Sequence, residues 1–454
     1  MHTFPIPPVI KRFAKQFKAS GFSLYIVGGA VRDHLLGLEN EDYDFTTDAL
    51  PEQVIGLFHH VIPTGIEHGT VTVHFEHQSF EVTTFRSEGD YRDGRHPDSV
   101  TFIRSLEEDL KRRDFTINAF AADCESGIII DQHEGLQDLK HRVIRAIGDA
   151  SQRFSEDGLR ILRACRIAGK LDFSIEANTL DAMQAKREGL RMVSSERIRD
   201  ELFKLVLSDH PSKGLYYLKT CRLLPIVLPE LAAGEGIEQK GMHHQDVLDH
   251  GIAVCQASVA LTGRLEVRLA ALLHDIGKSE VVSYHAQRNT FYQHDVVGEN
   301  LTKTVLKRLK ASNEQIQQVS HLVRHHMFAY QSNWTDSAVR RFITTVGKDE
   351  IGALFVLRMA DQIAIHGKAD IRLLEELEGR IRTIIEQQDA LSIKDLAING
   401  NDLIGLGIPK GTRIGATLSY LLETVLDDPR QNERQQLLQL AKAYQSFLDS
   451  ARQS

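Results

Sequence analysis

Two carboxylates separated by one residue, Asp42 and Asp44, follow a glycine pair, Gly28-Gly29, and a cation, Arg32. On a short strand that spacing sends both carboxylates to one face, and it sends Tyr43 and Phe45 toward a core. The apolar run Leu24–Val27 leads into the glycines, after which the pattern turns helical. Backbone amides and a helix N-terminus at such a junction can approach phosphate oxygens closely. Arg32 can add charge-assisted hydrogen bonds. Paired carboxylates beside a phosphate cradle are what two-metal phosphoryl transfer requires, with Mg²⁺ ions roughly 3.5–4 Å apart. A pair of aspartates alone is weak; the glycines and Arg32 upstream make the set specific.

The elements that must position these groups can be read from the same chain. Up to about Ile147, short strand-like runs (23–27, 71–75, 80–85 and 100–103) mix with helical segments, the pattern of an α/β head. From Arg153 onward helical periodicity dominates. A polar, glycine-bearing break at 234–241 precedes a histidine-rich stretch, and a second boundary falls near 365–368. The expected domains are a head over 1–147, a helical neck over 148–235, a histidine-rich module over 243–365 and a helical tail over 369–454.

At 454 residues the chain exceeds what one core holds. A hydrophobic fraction of 42% with 26% charged residues is ordinary globular material. No apolar run has the length of a membrane span and no signal-peptide core is present, so a cytoplasmic protein without membrane contact is expected. Cys124, Cys165, Cys221 and Cys255 are scattered, which favours reduced, buried thiols over cysteine-bound zinc. A formal net charge of -8 argues against indiscriminate nucleic-acid binding. Local basic clusters remain at Lys111-Arg112-Arg113 and at Arg153, Arg160, Arg163, Arg166 and Lys170, so RNA binding should be local and salt-sensitive.

Further motifs extend the pattern: Glu81-Val82-Thr83-Thr84-Phe85-Arg86, Arg112-Arg113-Asp114-Phe115-Thr116-Ile117-Asn118-Ala119, Glu156-Asp157-Gly158-Leu159-Arg160 within 153–163, and Ser195-Glu196-Arg197-Ile198. With Asn401-Asp402-Leu403 and the glycines at 405, 407, 411 and 415, the whole chain resembles the class II tRNA nucleotidyltransferases, the family of CCA-adding enzymes and bacterial poly(A) polymerases. The resemblance implies a DNA polymerase beta-like nucleotidyltransferase head followed by all-α neck, HD and tail domains. It implies that Asp42 and Asp44 hold Mg²⁺ on the incoming triphosphate and that Glu81, on the next β pattern, activates the RNA 3′-hydroxyl. Gly28, Gly29 and Arg32 would hold phosphate, and Arg113, Asp114 and Asn118, one to two helical turns apart, would face the ribose and triphosphate. Arg163 and Arg166 join the nucleotide-binding set.

Asp157 and Arg160, three apart on an expected helix, would share one face. An acceptor beside a forked donor matches cytosine and adenine, whose exocyclic amine lies next to a ring-nitrogen acceptor, and it leaves guanine and uracil unpaired. The bland alternative is an ion pair between the two. The family usually has proline where Gly158 stands. The polar stretch 86–97 resembles the flexible loop of enzymes that add the terminal A.

His250, His274-Asp275 and Asp361 resemble an HD-superfamily metal site for a divalent transition metal, with His294 and His325 where dinuclear members place extra ligands. His243, His244 and His326 are expected to be supporting or surface residues. The implied activity is template-independent addition of C, C and A to the tRNA 3′ end from CTP and ATP, with a linked HD phosphohydrolase and no obligate protein partner. The alternatives are an A-adding or poly(A) enzyme, or an HD phosphohydrolase with a non-catalytic RNA-binding head.

Overall fold

The computed structural model describes residues 2–40, 42–88, 100–239, 245–285, 289–387 and 389–450. The chain divides into two compact units, Met1–Gly236 with Thr304–Ser312, and Ile237–Lys303 with Asn313–Ser454. The first break falls inside the glycine-bearing stretch at 234–241. The return of Thr304–Ser312 to the first unit has no signature in the sequence.

The first unit carries strands β1 (Leu24–Val27), β2 (Asp44–Thr47), β3 (Val61–Gly65), β4 (Thr70–Phe75) and β5 (Gln78–Thr84). They are followed by β6 (Arg86–Glu88), β7 (Val100–Phe102), β8 (Phe120–Asp123) and β9 (Ile129–Asp131). Seven of them form one sheet in the order β3-β4-β5-β2-β1-β8-β9, and β6 pairs with β7 alone. β2 and β5 run parallel, and the other neighbours in the sheet are antiparallel.

Helix α1 (Pro8–Ala19) packs Phe13 and Phe17 among Phe45, Phe58, Phe75 and Phe80, with centroid distances from these two rings of 4.8–5.5 Å. Burying an aromatic ring of this kind contributes about 1.5–3 kcal/mol. With Phe45 committed to that side, the pleat gives its neighbour Asp44 the other. Helices α2 (Gly29–Leu35), α3 (Pro51–Leu57), α4 (Leu106–Lys111) and α5 (Gly135–His141) complete the head.

The neck consists of α6 (Ala150–Glu156), α7 (Leu159–Leu171), α8 (Ala177–Ala185), α9 (Ser195–Val206), α10 (Pro211–Thr220), α11 (Leu224–Val227) and α12 (Pro229–Ala232). α7 buries Ile161, Leu162, Cys165 and Ile167 and keeps Arg163, Arg166 and Lys170 on its polar side.

The second unit is helical. It contains α13 (Val247–Ser258), α14 (Leu265–Leu273), α15 (Lys278–Val281), the start of α16 (His294–Arg308), α17 (Asn313–His325), α18 (Asp336–Val346) and α19 (Ile351–His366). Its last part holds α20 (Arg372–Glu386), α21 (Gly400–Gly405), α22 (Thr412–Asp427) and α23 (Arg434–Ser450), with Leu421, Val425 and Leu437 buried between helices. All four cysteines are buried and free. No helix among the described residues is long and apolar enough to cross a membrane.

Candidate active site and candidate metal centre

The parallel register of β2 and β5 places Glu81 directly opposite Asp44. Asp42 lies two residues before β2 begins, a correction to the expectation that both aspartates sit on one strand, yet all three acids line the same cavity of about 920 Å³. Their proximity shows in the electrostatics: partial burial and the charges of Asp42 and Glu81 push the Asp44 carboxyl up, against Arg113 and Arg163. Three carboxylates converging on one cavity are oxygen donors that suit a hard divalent cation.

Facing the acids is a cationic wall. The cavity is lined by nine arginines and lysines against five acidic residues, an excess opposite in sign to the chain's net charge. Gly28 precedes α2 with φ 71°, a backbone that disfavours any side chain, and a Cβ there would stand 3.6 Å from an Arg113 nitrogen. Arg113 and Arg112 are held by the fully buried Asp109, at 3.4 and 2.9 Å.

Arg113, Asp114 and Asn118 do not share a helix face. α4 ends at Lys111, the chain turns through Asp114, and Asn118 closes a short 3-10 turn. The aspartate builds this turn itself: its Oδ1 accepts from the Phe115 amide at 2.8 Å and from Asn118 Nδ2 at 3.2 Å. Its Oδ2 accepts from Arg163 Nε at 2.7 Å. Burial alone would raise the Asp114 carboxyl, but Arg163 and the Asn118 bond hold it at about 2. Asn118 Oδ1 in turn accepts from Arg32 at 2.6 Å.

The expected continuous helix through Asp157 and Arg160 is broken. α6 ends at Glu156, Asp157 is extended, and α7 starts at Leu159. The two residues have separate partners. Asp157 accepts from Arg197 of α9 at 2.7 and 3.3 Å and from the Leu159 amide at 3.0 Å. Arg160 donates to Glu156 at 2.5 Å and to the Arg112 carbonyl at 3.2 Å. Both side chains line the cavity. Gly158 fits tightly, since a Cβ there would lie 2.6 Å from the Gly189 carbonyl oxygen. The absence of a side chain therefore fixes the start of α7 against a neighbouring backbone. Arg166 donates to the buried Glu201 at 2.5 Å.

The loop 86–97 lies mostly outside the described residues; its flanks, β6 and β7, pair with Arg86 opposite Phe102.

In the second unit, α13 contributes His250, the end of α14 His274-Asp275, the start of α16 His294, and α19 Asp361. Asp275 joins two groups. Its Oδ2 lies 3.1 Å from His274 Nε2 and 3.8 Å from His250 Nε2, and His250 lies 3.1 Å from Asp361. Its Oδ1 lies 3.4 Å from His294 Nε2 and 3.6 Å from His326 Nε2. His274, His294 and His326 each place Nδ1 2.7–2.9 Å from the carbonyl three residues earlier, leaving Nε2 to face the cluster. That second contact orients a metal-binding imidazole. Mixed imidazole and carboxylate donors suit a divalent transition metal.

His325 is not among them. His325 ends α17 with its ring 4.5 Å from that of His321, and burial together with the His321 and Arg324 charges lowers it to about 4. His326, expected to be peripheral, is buried in the cluster, where the chain turns after the last residue of α17. His243 and His244 lie outside the described residues. Sequence reasoning also missed Asp109, Arg197 and Glu201, which hold the predicted site residues. Arg197 stood within a quoted motif, whereas Asp109 and Glu201 read as ordinary helix acids.

Comparison with known proteins agrees with this geometry. Residues 24–145 match the family described as "Poly A polymerase head domain". Residues 172–234 match "Probable RNA and SrmB- binding site of polymerase A", and 291–441 match a tRNA nucleotidyltransferase domain 2. The chain is 36% identical to the CCA-adding enzyme of Levilactobacillus brevis over 426 residues, 92% of this chain and 93% of the relative. It is 34% identical to that of Enterococcus faecalis over 445 residues, 97% and 95% of the two chains. Among solved structures, the Bacillus stearothermophilus CCA-adding enzyme in complex with CTP aligns at TM-score 0.75 and 28% identity, covering 99% of this chain and 100% of that one. A nucleotidyltransferase head, an acidic trio beside a cationic wall and relatives matched over nearly their full length lead to one conclusion: the chain belongs to the family of CCA-adding enzymes, the tRNA nucleotidyltransferases.

Proposed function

We propose that the head and neck add C, C and A to the tRNA 3′ end from CTP and ATP, with the protein itself choosing the base. The observation that carries this is the presence of Asp157 and Arg160 in the cavity that holds Asp42, Asp44 and Glu81. Asp42 and Asp44 would hold Mg²⁺, which neutralises triphosphate charge as the 3′-hydroxyl displaces pyrophosphate from the α-phosphorus. Glu81 accepts the hydroxyl proton. Arg32 and Arg113 bind phosphate oxygens, and Asp114 with Asn118 orients the sugar end. Asp157 accepts from the exocyclic amine of cytosine or adenine, while Arg160 donates to the adjacent ring nitrogen; Arg197 and Glu156 hold the two groups in place. The helical tail holds the tRNA body. Such work belongs to the cytoplasm, where tRNA is matured.

The test is equilibrium binding of each NTP to the protein without RNA. CTP and ATP should bind at least about tenfold tighter than UTP and GTP, because mismatched bases leave buried polar groups unpaired. Equal affinity for all four would refute a protein-borne base reader.

A second reading rests on the cluster around Asp275. The mixed donor set supports a centre that binds one or two divalent transition metal ions and hydrolyses phosphate esters. A bound metal would supply a nucleophile by lowering the pKa of water.

A further inference from the structure

The hydrogen bonds around the phosphate side of the cavity close into a ring. Arg32 donates from Nε and Nη2 to Asp33 Oδ1 at 2.8 and 2.6 Å and from Nη1 to Asn118 at 2.6 Å. Asn118 reaches Asp114, and Asp114 is held by Arg163 of α7. Seven residues further along α7, Lys170 Nζ donates to Asp33 Oδ2 at 2.9 Å. The buried Asp33 thus joins the phosphate-binding arginine to the far end of the helix whose near end carries Arg160.

We propose that the Asp33–Lys170 pair is a positioning clamp that sets the tilt of the base-reading helix relative to the phosphate site, and so contributes to base choice. This rests on the reading of Asp157 and Arg160 as the base selector. α7 is held within the neck by its buried face, by Gly158 against Gly189 and by Arg166 on Glu201; toward the phosphate site, the tie of Arg163 to Asp114 fixes its position at one point only. A second tether two turns away, about 10.5 Å along the axis, fixes the angle as well. Arg160 lies on the opposite side of Arg163 from Lys170, so a tilt about Arg163 displaces it from the base edge. Three of the five Arg32 donors are committed to Asp33 and Asn118, which also aims the remaining two.

Lys170 is 44% exposed in its side chain, so losing its ion pair should cost little stability, and a change in base choice can be separated from unfolding. Lys170→Met removes the charge and keeps the stem; Lys170→Arg keeps the charge. The measurement is kcat/KM for CTP, UTP and GTP on tRNA lacking its 3′ CCA and for ATP on tRNA ending in CC, alongside Tm. Lys170→Met should raise the UTP-to-CTP ratio about tenfold with Tm nearly unchanged, and Lys170→Arg should restore the wild-type ratio, since small misplacements at a reacting site have effects of this order or larger. A proportional loss for all four nucleotides, or unchanged ratios, would overturn the clamp. Asp33→Asn, which also loosens Arg32, should raise the same ratio and in addition raise KM for every nucleotide. If the wild type shows no preference among the four, the base-selector reading fails first; if it prefers CTP and ATP while Lys170→Met keeps that preference, only the clamp fails.

Discussion

The two polar centres solve the problem of gathering ionisable groups in opposite ways. In the head, acids and arginines are drawn from three strands, the connections between elements and three helices around an open cavity, and Asp44 is raised by burial and by its acidic neighbours. In the second unit, buried histidines surround one aspartate, and burial of the Asp275 carboxyl is more than offset by His274 and Lys278, which hold it well below its usual range. The first arrangement carries unbalanced charge that a cation and a triphosphate would complete. The second is a compact set of imidazoles around Asp275 and keeps its shape through backbone contacts at Nδ1. An open, charge-strained site fits a changing substrate, and a compact cluster fits a resident ion.

The contrast predicts that the centres fail independently. Asp44→Ala should reduce nucleotide addition by about a thousandfold or more, because metal-bound charge stabilises the transition state by several kcal/mol. It should leave the metal content of the second unit unchanged. Loss of both in the purified variant would contradict two separate centres.

The converse substitution is expected to be as clean. His274→Ala with Asp275→Ala should abolish bound transition metal and hydrolysis of generic phosphate esters, with CCA addition within about twofold of wild type. Metal present in the wild type without hydrolysis of any ester would make the cluster a structural staple.

A finer division falls inside each centre. Asp157→Asn should relax base choice by about tenfold or more while the Asp42, Asp44 and Glu81 chemistry continues, because only the acceptor for the exocyclic amine is altered. Relative kcat/KM for the four nucleotides decides it; unchanged ratios would leave Asp157 only its bond to Arg197. In the second unit, His326→Ala should lower metal stoichiometry or affinity, and His325→Ala should not.

The smallest effect concerns acid stability. Asp114 titrates at about 2 in the folded chain against 3.8 ordinarily, so its contribution is complete above about pH 4 and is lost as pH falls toward 2. That difference corresponds to about 2 kcal/mol. Asp114→Asn should lower stability at neutral pH and flatten the loss between pH 4 and 2, read by denaturant unfolding across that range. A parallel acid limb in both proteins would contradict the assignment.

How much of this could be read from the chain depended on whether a residue's role was local. The glycines before α2, the Asp42/Asp44 spacing and the His274-Asp275 step are short-range patterns, and the head and its acids followed from them. Glu81 was expected beside Asp44 and proved to be its register partner, since strand pairing was foreseeable from two β patterns. The turn through Arg113 and Asp114 departs from the expected helix: α4 ends at Lys111, and Asp114 then accepts from the Phe115 amide, a bond invisible in the periodicity. Gly158 stands where the family usually has proline, and its close approach to Gly189 is a contact that the sequence pattern does not show. His325 and His326 are adjacent, and only the end of α17 decides which faces inward. Asp33 reaches Lys170 and Glu201 reaches Arg166, both remote in sequence, which no pattern along one chain records; Asp109 sits only three and four residues from Arg112 and Arg113 but read as an ordinary helix acid.

The most direct measurement uses tRNA transcripts ending just before the CCA sequence, with product length and terminal sequence determined. CTP alone should add two residues, CTP with ATP should add three ending in A, and UTP or GTP should add none. A product extended by ATP alone into a long tail, or addition of A only to transcripts already ending in CC, would contradict CCA synthesis by this protein.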